Sequence, residues 1–135
     1  NGLIGSGVIH DWATHMIGHE LTALYNVDHA RSLSIIQPSL LRNQIEAKRA
    51  KLEQLGKNVF GLAASVDLAE RTIVAIETFY HSVQVPTILT EHGDDKASTI
   101  DALIKQLEAH GMVALGESQA ITLDVSRQIL EDAVK

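Results

Sequence analysis

Apolar residues recur at spacings of three and four along the whole chain, and runs that alternate with period two are hard to find. That pattern predicts an all-α domain. After Gly2, Gly5 and Gly7, the apolar positions Trp12, Met16, Ile17 and Leu24 mark a first helix from about Ile9 to Leu24, and Tyr25-Asn26-Val27-Asp28 reads as a turn. Asp28 is placed to cap a second helix, whose stripe is Leu33, Ile36 and Leu40 with Leu41 at its edge. Pro38 falls inside that stripe, which predicts a kink or local break rather than an end. A third helix, Lys48 to Phe60, turns Leu52, Leu55 and Val59 inward, carries a basic outer face and has Gly61 near its end.

The run Asp67-Leu68-Ala69-Glu70 resembles a capping box, followed by Ile73, Ile76, Phe79, Tyr80 and Val83 at helical spacing and closed by Pro86. Ser98 opens the next helix, with Ile100, Leu103, Ile104 and Leu107 inward and Gly111 as its stop. Thr122 caps a last one through Val125, Ile129, Leu130 and Ala133. The stretches from Val85 to Lys96 and from Gly111 to Ile121 read as loops. No repeat, low-complexity tract or linker divides the chain, so residues 1–135 are read as a single helical domain.

Composition narrows the function. A chain of 135 residues with 45% hydrophobic content buries about 68% of its unfolded surface, enough for a core without disulfides or a structural metal. A metal here is therefore read as functional. There is no cysteine, which excludes disulfide scaffolds, zinc fingers, iron–sulfur clusters and thiol nucleophiles and fits an intracellular, cytoplasmic origin. Eleven Lys and Arg against 17 Asp and Glu give a net charge of −6, opposite to what a phosphate-backbone binder needs, so no nucleic-acid partner is expected. No apolar stretch approaches the roughly 18 residues of a membrane span, and the opening residues lack the pattern of a signal peptide. The chain opens without an initiating Met into an uncapped apolar segment, which gives the expectation that it is the C-terminal piece of something longer.

The histidines carry the candidate chemistry. Four of the seven, His10, His15, His19 and His29, fall in the first 29 residues. His15 and His19, four apart, share one helix face about 6 Å apart, a spacing that lets two imidazoles reach one ion. The same spacing also suits two histidines that merely bond backbone carbonyls in a core. His29 begins the next helix, but a first helix running straight to Tyr25 would leave His15 about 15 Å from the turn, too far for a shared ion in a plain hairpin. Either the helix ends early or the loop folds back. The other candidates read as bland: the glycines Gly2, Gly5 and Gly7 as packing or turn residues, the cluster Arg42, Lys48, Arg49 and Lys51 as a solvated face, and His81, His92 and His110 as surface or helix-end residues. Glu20 beside His19 does not complete a His-Glu-x-x-His motif.

The segment Asp11-Trp12-Ala13-Thr14-His15-Met16-Ile17-Gly18-His19-Glu20-Leu21, continued by Asn26-Val27-Asp28-His29-Ala30-Arg31, resembles the second signature of the iron-containing (group III) alcohol dehydrogenases. The likeness is greatest to the branch of butanol-dehydrogenase-like, NADPH-dependent aldehyde reductases, and it extends through Lys48-Arg49-Ala50-Lys51-Leu52, Val85-Pro86-Thr87, His110-Gly111-Met112 and Ile121 to Arg127. The resemblance implies the C-terminal helical part of the dehydroquinate synthase-like fold, with the nucleotide-binding α/β domain and the first helices outside this chain. It implies His15 and His29 as two ligands of a divalent metal, zinc or iron, completed by an Asp and a His outside these residues. His19 would lie beside the nicotinamide and the substrate without holding the metal, in the catalytic and cofactor-binding role. The implied partners are NADP or NAD bound mainly by the missing N-terminal domain, a small alcohol or aldehyde, and further copies in a homo-oligomer. The implied activity belongs to the complete enzyme and not to this piece. A free-standing helical interaction module with structural histidines is the competing expectation.

Overall fold

The computed structural model describes residues 2–90 and 95–135. It is helical almost throughout: α1 (Gly2–Gly5), α2 (Ala13–Tyr25), α3 (His29–Asn43), α4 (Ile45–Asn58), α5 (Leu68–Ser82), α6 (Lys96–Ala109) and α7 (Leu123–Ala133), with one small antiparallel pair between β1 (Ala114–Leu115) and β2 (Ile121–Thr122). The all-α expectation holds, and α3 is the hub, packing on α2, α4, α5 and α7 while α6 closes against α2 and α7.

Each helix buries its apolar stripe against the next. Ala13, Ile17 and Leu21 of α2, spaced by four, meet Ile36 and Leu40 of α3, Leu103 and Leu107 of α6, and Ile129 and Leu130 of α7 in one continuous core. Leu52 of α4 with Ala69 and Ile73 of α5 forms a second, smaller cluster. There the backbones come close: a Cβ on Gly56 would stand 2.2 Å from Thr72 Oγ1, so only glycine lets α4 lie this near α5.

Several helix boundaries differ from the sequence expectation. The first long helix starts at Ala13, not Ile9, because Asp11 Oδ1 accepts the Ala13 N–H at 2.8 Å and marks the beginning. Asp28 precedes α3 but makes no side-chain cap. The expected box at Asp67 and Glu70 does not form: the Ser65 hydroxyl engages Asp67 and holds its carboxyl below the ordinary range, while Glu70 is taken by Arg49. Asp95 rather than Ser98 caps α6, accepting the N–H groups of Ala97 and Ser98. Thr122 does cap α7, accepting from the Val125 N–H. Pro38 neither breaks nor ends α3, and the third helix spans Ile45–Asn58 instead of Lys48 to Phe60.

Val59, expected inward, faces out, as do the helically spaced apolar positions Trp12, Leu24, Phe79 and Val83. Val59 follows the end of α4 and is 68% exposed, Phe79 is 56% exposed and Val83 is exposed beyond the last turn of α5. Phe79 instead lines an open apolar cavity of about 620 Å³ along α5, together with Phe60, Leu62 and Val74.

The loop expected between Gly111 and Ile121 contains the β1–β2 pair, whose two-residue strands are too short to show alternation. Within the other loop, Leu89 forms a parallel bridge with Val134.

Candidate metal centre

The site is built where α2 meets α3. The helix α2 does run to Tyr25, so it is the connection that folds back. Asn26 turns the chain in the left-handed region with φ 52°, and Asp28 is extended at φ −52° and ψ 140°. From Tyr25 back to the level of His19 is about 9 Å of helix, and the linker to His29 spans up to about 13 Å when extended. Two contacts register the helices: the Thr22 hydroxyl lies 3.4 Å from Ser32 Oγ, and a Cβ on Gly18 would come 3.2 Å from the same oxygen. A side chain at position 18 would press on the first turn of α3, which carries His29.

The result is a triangle of imidazoles. Ring centroids are 6.1 Å apart for His15 and His19, 5.5 Å for His15 and His29, and 5.4 Å for His19 and His29. Two imidazoles bound to one tetrahedral ion at about 2.0–2.1 Å place their ring centres roughly 5.2 Å apart. By that measure His19 with His29, at 5.4 Å, and His15 with His29, at 5.5 Å, both suit a shared ion with small ring adjustments. Among the described residues, no group of three or more His, Asp and Glu is arranged to hold an ion by itself.

His15 is half-buried, whereas His19 and His29 are exposed. Burial and then the neighbouring His29 and His19 rings push the His15 imidazole below its ordinary value, favouring the neutral form that can donate a lone pair. None of the three rings makes a hydrogen bond to a described residue. The other described histidines do: His10 Nε2 lies 3.0 Å from Gly5 O, His81 Nε2 2.9 Å from Thr87 Oγ1, and His110 Nδ1 2.7 Å from Glu20 Oε1. His81 and His110 thus occupy helix ends as expected, and His92 lies outside the described residues.

The surroundings give structural roles to residues that the sequence alone marked as bland. Glu20, only 5% exposed, joins α2 to the end of α6 through His110. The supposed solvated face is largely an ion-pair lattice, because the carboxylates that neutralise it arrive from distant elements. Arg42 pairs with Glu77 and Asp132, Arg49 with Glu46 and Glu70, and Lys48 with Asp11 and Glu117. The Lys48 tether matters for the site: its Nζ stands 2.6 Å from Asp11 Oδ2, while the other Asp11 oxygen caps α2. The one available signal was an Asp two residues before a helical stripe. Gly5 and Gly7 are the packing and turn residues expected, Gly5 against the His10 ring and Gly7 at φ +78°.

Burial alone would push the Asp11 carboxyl up, but the hydrogen bonds from Lys48 and the Ala13 N–H outweigh it and hold the group below its ordinary 3.8. A depressed folded value means that the tether contributes fully above pH 3.8 and is lost as pH falls through that lower value. Lys48→Met is expected to cost roughly 1–2 kcal/mol near neutral pH. The difference from the unsubstituted chain should shrink in acid, as measured by urea unfolding across pH; a constant difference would contradict the tether.

The fold and the histidine signature define a class. The profile of the Fe-containing alcohol dehydrogenase family, C-terminal part, matches residues 3–134, and the chain belongs to that family. It is 49% identical over 135 residues to the NADPH-dependent aldehyde reductase YqhD of Escherichia coli, covering 98% of this chain and 35% of that protein. It is 30% identical over 115 residues to the probable NADH-dependent butanol dehydrogenase 1 of Bacillus subtilis, covering 82% of this chain and 30% of that protein. The solved structure of the substrate- and cofactor-free form of YqhD superposes with a TM-score of 0.92 over 98% of this chain and 35% of that one. The NADH-dependent butanol dehydrogenase A of Thermotoga maritima, 26% identical, superposes with a TM-score of 0.78 over 93% of this chain and 33% of that one. The chain thus spans about a third of the length of the relatives it matches. No helix among the described residues is long and apolar enough to cross a membrane.

Proposed function

We propose that the chain is the metal-binding helical part of an NAD(P)-dependent alcohol dehydrogenase or aldehyde reductase, in which His15 and His29 are two ligands of a divalent ion, zinc or iron. The supporting observation is that His15 and His29 stand 5.5 Å apart, brought together from two helices and left without hydrogen bonds to described residues; His19 shares these features, and the likeness to the family signature selects His15 over it. Structural histidines, the competing reading, would be bonded as His10, His81 and His110 are. The ligand set is shared with the rest of the enzyme, which in this reading supplies an Asp and a further His and holds most of the nucleotide.

An ion held by His15 and His29 would supply Lewis-acid polarisation of a substrate carbonyl, and a nicotinamide would supply or take the hydride. The residues of this chain prepare that step. His15 keeps its lone pair available because its surroundings disfavour the cation. His29, the first residue of α3, would bring the second ring from the neighbouring helix. His19, exposed one turn beyond His15, is assigned to the nicotinamide and substrate side, where its ring can hold or pass the proton of the alcohol. Glu20 fastens that stretch of α2 to α6 through His110.

The test is anomalous diffraction at the zinc edge on metal-loaded crystals of the complete enzyme. A peak within ligand distance of both His15 and His29, retained in His19→Ala, is expected. A peak elsewhere, or one that disappears in His19→Ala, would overturn the assignment.

A further inference from the structure

A ligand imidazole ordinarily donates its second ring N–H to a carboxylate, a backbone carbonyl or water, which fixes the ring and raises its basicity. His15 has no such protein partner among the described residues. Its ring instead meets the Trp12 indole edge to face, with centroids 5.1 Å apart and planes at 71°, inside the range of a favourable aromatic pair.

The indole is itself held. Trp12 immediately precedes α2, and its carbonyl accepts the Met16 N–H at 2.9 Å, so its backbone belongs to the first turn. On one side Asp11 is anchored to α4 by Lys48, which also grips Glu117 beside the β1–β2 pair at 2.9 Å. On the other, the His10 ring lies 5.9 Å from the indole and reaches Gly5 O. Two helices and the hairpin turn therefore converge on the two residues that precede α2. A tryptophan 44% exposed at such a tether covers little of the core, and its ring contacts are to His10 and His15.

We propose that Trp12 is the positioning residue of His15, its indole standing in for the hydrogen-bonded partner that usually orients a ligand imidazole, with the Lys48–Asp11–Glu117 tether keeping the indole in register. The inference rests on the reading of His15 as a metal ligand.

The experiment measures Co²⁺ affinity of the complete enzyme by chelator competition, together with the visible spectrum of the bound Co²⁺. Trp12→Leu should weaken affinity by roughly 10–100-fold, the usual effect of removing a ligand's orienting partner. It should also alter the Co²⁺ spectrum while leaving the melting of the metal-free protein close to that of the parent. Trp12→Phe, which keeps an aromatic edge, should restore both readouts most of the way. Unchanged affinity in Trp12→Leu, or no rescue by Trp12→Phe, would overturn the proposal. If Trp12→Leu fails to fold, Lys48→Met takes its place: weaker Co²⁺ binding supports the tethered indole, and parental binding refutes it. His15→Ala separates the two levels. Should it bind Co²⁺ like the parent, the ligand reading fails; should it lose Co²⁺ while Trp12→Leu keeps it, only the positioning role fails.

Discussion

His15→Ala in the complete enzyme is expected to strip the divalent ion and to lower kcat/KM by about 1,000-fold or more. Polarising a carbonyl is worth several kcal/mol of transition-state stabilisation, and about 4 kcal/mol corresponds to about a thousandfold in rate. Stability of the metal-free protein should change little, because the side chain is only half-buried on α2 and alanine is a strong helix former. His29→Ala should behave alike, since the two rings would share the ion. His19→Ala should instead retain the metal and lose roughly 10²-fold to 10⁴-fold in turnover, the range for a lost proton-transfer group. Metal content and aldehyde-dependent NADPH oxidation read out the contrast. Turnover retained by His15→Ala would refute the ligand assignment.

The second large effect is one of packing. Ile17 is fully buried on α2, between the two histidines in sequence but turned to the core, where α2 packs on α3 and α6. Ile17→Ala is expected to cost about 2–5 kcal/mol, for the lost transfer energy and the cavity left behind. That is a large part of the roughly 5–15 kcal/mol that holds a domain together. Because an ion bound only by the folded state stabilises it by mass action, zinc at about 100 times its dissociation constant should recover about 2.7 kcal/mol. Urea midpoints of the complete enzyme, with and without zinc, measure both effects. An unchanged midpoint would contradict the packing role of Ile17, and a loss that zinc does not relieve would count against the metal site.

The helices were legible in the sequence because each carries an apolar stripe that must be buried, and Ile17, Leu103, Leu107, Ile129 and Leu130 all lie inside. Their ends were less legible. Asp28, Asp67 and Ser98 carry the chemistry of caps, but Asp28 makes no side-chain cap, Ser65 engages the Asp67 carboxylate, and Asp95 takes the Ser98 hydroxyl together with the first N–H groups of α6. The histidine cluster was half legible. Spacing alone joined His15 to His19, whereas bringing His29 to the same place depends on a backbone reversal at Asn26 and on the small surface of Gly18 against Ser32, neither of which has a periodicity. Only the likeness to a known signature pointed to His15 with His29. Lys48 looked like one more surface cation because its partners, Asp11 and Glu117, lie 37 and 69 positions away.

The fold-back after Tyr25 bears on how the domain assembles. His15 and His29 are only fourteen positions apart, so bringing them together closes a short loop, and each doubling of loop length would cost about 0.6 kcal/mol more in chain entropy. Contacts of this low sequence separation are among the quickest to form in a folding chain. By that reasoning the α2–α3 corner is expected to take shape before α7 packs to complete the core, so that the two imidazoles would meet ahead of the long-range packing that encloses their helices.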